Sequence, residues 1–182
     1  HAFALTPLKN LSIGSGLKDR GSLGYGIFYG VCSTLETFSI NSPNSLGKSS
    51  NNYYTTSYDN NSRNYYNGVY FGDTNCNELT TITLGDEVVH TGADAFKGLT
   101  SLTSLLIGNS IQTIGANTFR NISGLPAIQL PDSLEVINNN AFSEAESLAS
   151  IEFGNSLTTI GSDIFQNTAL TTIALPNSVT TI

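Results

Sequence analysis

Close variants of one stretch, LASIEFGNSLTTIGSDIF from Leu148 to Phe165, recur through the C-terminal part of the chain at nearly constant spacing. Aligned on a Leu-x-x-apolar-x-apolar core, they start at Leu79, Leu102, Leu125, Leu148 and Leu170, separated by 23, 23, 23 and 22 residues. Phe96, Phe119, Phe142 and Phe165 keep the same interval of 23. A unit this short cannot bury its own apolar face, so copies must stack and share one continuous core. The repeat therefore predicts a solenoid of about seven coils, with the phenylalanines in a single internal column.

Each unit opens on an alternating segment such as Ile128-Gln129-Leu130 or Ile151-Glu152-Phe153, the pattern of a half-buried strand. A Gly-Asx or Pro-Asx pair follows (Gly85-Asp86, Gly108-Asn109, Pro131-Asp132, Gly154-Asn155, Pro176-Asn177), where Gly or Pro sets a turn and Asx bonds it locally. A second short arm carries Ile111/Ile114, Leu134/Ile137, Leu157/Ile160 and Val179/Ile182. The pair Val88/Thr91 departs from this by placing threonine where isoleucine is usual. Gly92, Gly115, Asn138 and Gly161 share one position, and Gly with Asn as substitute predicts positive φ there. Asp94, Asn117, Asn140 and Asp163 precede each phenylalanine by two residues and read as N-caps of a short helical turn. Their place in the repeat leaves a catalytic reading of Asp94 or Asp163 without support.

The order Leu-x-x-Ile-x-Leu-Pro-Asp/Asn-Ser-Leu-x-x-Ile-Gly/Asn-x-x-Ala-Phe, clearest in LPAIQLPDSLEVINNNAF from Leu125, resembles the BspA-like, or Treponema-type, leucine-rich repeat. The resemblance covers residues 79–182 well and the first 40 more loosely. It implies a right-handed leucine-rich-repeat solenoid of mostly short β-strands and short helical turns. It also implies a large secreted or cell-surface protein of a host-associated bacterium or parasitic protist, of a kind regarded as adhesins.

All 182 residues read as one solenoid fragment, because Ala2-Phe3 resembles the end of a repeat and Ile182 falls within another. Leu8, Leu11, Ile13 and Leu17 repeat the spacing of Leu79, Ile82, Leu84 and Val88, with Phe28 in the place of Phe96 and a small loop at Gly21 to Gly26. The next unit begins at Leu35 and closes at Phe71, too far away for one repeat. The excess predicts an insertion at about 41–70, whose sequence SSNNYYTTSYDNNSRNYYNGVY holds six of the eight tyrosines. Insertions in repeat arrays map to loops on one face, often the binding face. Tyrosine offers a broad ring with only two torsions to fix, and Asn and Ser supply adaptable hydrogen bonds. Tyr53, Tyr54, Tyr58, Tyr65 and Tyr66 are therefore the candidate ligand-binding residues, on a hairpin or long ordered loop. At the outward strand positions, by contrast, small and weakly polar side chains dominate.

The charge of −7 excludes a basic stripe for nucleic acid, and after residue 78 the only bases are Lys97 and Arg120 against nine acids. No apolar run approaches the roughly 18 residues of a membrane span. His1 and His90 belong to no cluster with metal-ligand spacing, and no nucleophile elbow, phosphate loop or calcium loop is present. No cofactor, metal or catalytic residue is expected. Cys32 and Cys76 each precede a repeat-starting leucine by three residues, which predicts buried, adjacent cysteines, with two thiols favoured over a disulfide because the position is otherwise apolar. The sequence thus reads as a non-enzymatic surface module that binds a host extracellular protein or glycan. The alternatives are a structural spacer and a carbohydrate-binding accessory domain of a larger surface protein.

Overall fold

The structure, a computed structural model, describes residues 7–15, 33–41, 71 and 76–182. Nine short strands occur among them: β1 (Asn10–Ile13), β2 (Thr37–Ile40), β3 (Thr81–Leu84), β4 (Ser104–Ile107), β5 (Thr113–Ile114), β6 (Ala127–Gln129), β7 (Val136–Ile137), β8 (Ser150–Glu152) and β9 (Thr159–Ile160). Every pairing is parallel, and coil follows coil in register, as with Ile82↔Leu105 and Ile128↔Ile151. The first strands of successive coils form the sheet β1-β2-β3-β4 and then the pair β6-β8, and the second arms form β5-β7-β9. This is a parallel β-solenoid, with four regular coils between Leu79 and Leu170.

The break between β4 and β6 has a local cause. Thr103 N–H donates to Thr80 O at 2.9 Å, and Ala149 N–H donates to Pro126 O at 2.9 Å. Pro126 occupies the same position in the intervening coil but has no N–H to give, so the ladder is interrupted there. The second arm carries no proline at that point. Its ladder runs on from the His90↔Thr113 bridge through β9 to the Thr159↔Thr181 bridge. In the last coil, residues 172–174 form no strand, and the one-residue shortening of the repeat falls just before them.

Inside, the phenylalanine column forms as the spacing predicts. Phe96 and Phe119 stack at 5.5 Å, Phe119 and Phe142 at 5.5 Å, and Phe142 and Phe165 at 6.1 Å. Phe71 continues the column toward Phe38. Leu79, Leu102, Leu125 and Leu148 line another side of the same core, each no more than 1% exposed.

The expected helical turns do not form: no helix occurs among the described residues. The reason is where the backbone donors go. Asp94, Phe96 and Gly98 give their N–H groups to Ala116 O, Thr118 O and Arg120 O of the next coil, at 2.8–2.9 Å. The same three bonds recur from Asn117, Phe119 and Asn121, and again from Asn140, Phe142 and Glu144. A helix would have kept these donors within the segment. Here they tie coil to coil, and only isolated i→i+3 turn bonds remain, as from Lys97 N–H to Asp94 O at 3.2 Å and from Arg120 N–H to Asn117 O at 3.1 Å.

Two residues per coil take the left-handed conformation, and neither is where the glycines suggest. They are Asp94, Asn117, Asn140 and Asp163 (φ 53–57°) and, four residues on, Gly98, Asn121, Glu144 and Asn167 (φ 56–80°). The supposed N-caps are therefore left-handed corners, which Asn and Asp tolerate and most side chains enter only at a cost of about 1–2 kcal/mol. Gly115 serves close approach instead. A Cβ there would lie 2.7 Å from backbone atoms of Thr91 and Gly92 in the coil before.

Other polar groups also act between coils. The turn Asx residues bond onward rather than locally: Asp86 accepts from Asn109 N–H at 2.7 Å, and Asp132 accepts from Asn155 N–H at 2.9 Å. Thr91 is buried in the isoleucine position because its hydroxyl is used. It accepts from Gly115 N–H at 3.0 Å and lies 3.3 Å from the Thr118 hydroxyl, which is itself 2.8 Å from Gly92 O. Cys76 is buried as expected, at 3% exposure, but it is disulfide-bonded rather than a thiol. Its sequence counterpart Cys32 lies outside the described residues.

Candidate functional site

The segment read as an insertion falls between Asn41 and Phe71, and these two described residues are both held by the coils. Asn41 follows β2, gives its N–H to Ile13 O at 2.8 Å, and accepts from Glu87 N–H through its side chain at 2.9 Å. Phe71 is fully buried, with its ring 5.1 Å from Phe38 and 5.9 Å from Phe96, and its N–H donates to Ala95 O at 3.0 Å. Asn41 and Phe71 are thus both anchored positions of one scaffold. Tyr53, Tyr54, Tyr58, Tyr65 and Tyr66 themselves lie outside the described residues, as do residues 42–70 as a whole.

The outward face of the first-strand sheet is laid out in two rows two residues apart along each strand. Asn10, Thr37, Thr81 and Ser104 form one, and Ser12, Ser39, Thr83 and Leu106 the other. Neighbours bond along the rows, Thr37 Oγ1 to Asn10 Oδ1 at 2.6 Å and Ser39 to Ser12 at 2.8 Å. These hydroxyls are engaged with each other, and the exposed large side chain in the rows is Leu106. No aromatic ring or charge interrupts them, so the face offers a ligand little beyond shape.

The two bases past residue 78 lie on the phenylalanine-bearing turns. Lys97 and Arg120 occupy the same position on consecutive coils. Lys97 Nζ is 3.7 Å from Asp94, and Arg120 Nη2 is 2.6 Å from Glu144 Oε1. The hydrogen bond from Arg120 lowers the Glu144 carboxyl below its ordinary range, and the same bond raises the guanidinium further. A depressed carboxylate stabilises the fold above its unfolded pKa, so this contribution is present at neutral pH and fades as pH falls through the acid range. Sequence reasoning passed over this pair because its partners lie 24 residues apart and meet only through stacking. A like pair joins Lys9 and Glu36 on the sheet side at 2.6 Å, and that bond raises the lysine. Among the described residues no group of three or more His, Cys, Asp or Glu is placed to hold a metal ion.

The BspA type leucine rich repeat region matches in six copies across residues 67–182. The chain belongs to this family. Among solved structures, a leucine-rich repeat protein of T. pallidum is 36% identical, with a TM-score of 0.54 over 56% of this chain and 50% of that one. A leucine-rich repeat protein of Bacteroides ovatus is 26% identical, with a TM-score of 0.58 over 91% of this chain and 37% of that one. This BspA-type chain therefore spans half or less of the solved relatives it matches. No curated protein matches it. BspA-type repeats are generally protein-interaction or surface modules, and the family is typically non-enzymatic.

Proposed function

We propose that this chain is a non-enzymatic recognition module of a cell-surface or secreted protein, and that it binds a host extracellular protein or glycan through its tyrosine-rich insertion. The observation that carries this reading is the anchoring of the insertion at Asn41 and Phe71, which fixes both ends of a paratope-like segment on a hydrogen-bonded scaffold. Preorganised ends lower the ordering cost that a long loop otherwise brings to binding. The disulfide at Cys76 supports an extracytoplasmic setting, since such bonds persist where thiols are not kept reduced. The weakly functionalised sheet face favours the same division of labour, and it also gives the second reading, a spacer, its main support.

The test is to probe arrays of extracellular-matrix proteins and of glycans with the parent chain and with a variant carrying alanine at Tyr53, Tyr54, Tyr58, Tyr65 and Tyr66. Removing buried tyrosine contacts from an interface should weaken binding at least about tenfold. A parent that binds nothing on either array favours the spacer. Equal binding by both proteins moves the site off the insertion.

A further inference from the structure

We propose that Lys97 and Arg120 form a second interaction site, on the turn face, for a short acidic peptide segment of a protein partner, with Glu144 as an internal competitor that the partner's carboxylate displaces. This site is independent of the insertion and does not rest on the tyrosine reading.

The first support is charge distribution. Past residue 78 the chain has two bases, and stacking places both at one position of adjacent coils. The second is unused donor capacity. The Lys97 ammonium is 3.7 Å from Asp94, too long for a hydrogen bond, and its side chain is 41% exposed. Arg120 bonds through Nη2 alone. Its Nε and Nη1 have no partner among the described residues, although a guanidinium can present a fork to a carboxylate.

The third support lies in residues 143 and 144. Glu144 holds its carboxylate over Arg120 from a left-handed backbone with φ 63°, where the neighbouring coils use Gly98, Asn121 and Asn167. Ser143 beside it has a fully buried hydroxyl with no hydrogen-bond partner. Both choices work against the stability of the coil, and such departures from local rules cluster where function imposes them. A surface ion pair, here only partly buried, returns little stability in compensation.

The partner's chemistry follows from what surrounds the two bases. The phenylalanines of these turns face inward and leave no ring on which a sugar could stack, whereas Lys97 and Arg120 offer charged N–H donors. Carboxylates on a peptide need only such donors. The segment must be short, because the rest of an acidic chain repels an extended polyanion.

The experiment is calorimetric titration of a synthetic hexaglutamate peptide into the parent chain, Arg120→Gln, Lys97→Ala and Glu144→Asn, with melting curves to show that each is folded. Glu144→Asn places a residue suited to the left-handed corner and frees Arg120, so it should melt no lower than the parent and bind several-fold more tightly. Arg120→Gln should weaken binding about tenfold, the loss expected of a charge-assisted bond. Lys97→Ala should weaken it less, and added salt should weaken all of them. The proposal is overturned if the parent does not bind the peptide, if Glu144→Asn binds no better, if Arg120→Gln binds as well as the parent, or if an acidic glycan such as hyaluronan binds as tightly as the peptide.

Discussion

Replacing Phe119 with alanine is expected to destabilise the protein by about 3–5 kcal/mol, the range for truncating a large, fully buried aromatic residue. Phe119 is 0% exposed and stacks on a ring above and a ring below, each at 5.5 Å. Its removal opens a cavity between coils that the backbone ladder holds at fixed spacing, so the walls cannot close in. Because each coil contacts only its neighbours, the loss weakens two interfaces together. Phe165 is half-buried beside the last coil, and Phe165→Ala should cost distinctly less. Denaturant unfolding of the two variants gives the comparison. A Phe119→Ala penalty below about 1 kcal/mol, or one equal to that of Phe165→Ala, would mean that the column does not bear on stability as its geometry requires.

Reduction of the Cys76 disulfide is expected to be nearly as costly, about 2–5 kcal/mol if it behaves like native disulfides of other small domains. Cys76 sits three residues before Leu79, where the regular repeats begin, and its carbonyl accepts from Leu79 N–H at 3.1 Å. Opening the bond frees the chain just before the first regular coil, while the coils from Leu79 onward retain their own ladders and core. Loss of structure should therefore start on the N-terminal side. Unfolding with and without reductant measures the cost. Alkylation of the unfolded, unreduced chain tests the bond directly, because Cys76 should stay unmodified until reductant is added. Full labelling of Cys76 without reductant would restore the thiol favoured by the sequence.

The phenylalanine column was legible in the sequence because every copy repeats the same residue at the same interval, and stacking converts an interval into a contact. The corners were not. Gly92, Gly115 and Gly161 suggest positive φ, but glycine serves equally where backbones pass closely, and the atoms that crowd Gly115 belong to the coil before it. Asp94 and its counterparts suggest N-caps, and asparagine and aspartate are favoured both at caps and in left-handed corners. What separates the two is the destination of the next few N–H groups, which depends on the neighbouring coil and has no trace within a single repeat. Arg120 and Glu144 were obscured for the same reason. The tyrosine segment stood out through composition and through its failure to fit the period, and neither property specifies the side of the coil on which a ring would lie.

The division between a scaffold of coils and a recognising insertion can be tested by deleting Ser49 to Asn67, joining the ends with a short linker, and measuring folding and ligand binding on the same sample. Shortening a surface insertion changes loop-closure entropy only slightly, so the coils should still unfold cooperatively near the parent's midpoint. Binding to the extracellular protein or glycan that the parent recognises should be lost. A deleted chain that folds and binds that target with unchanged affinity would place recognition on the coils and contradict the account.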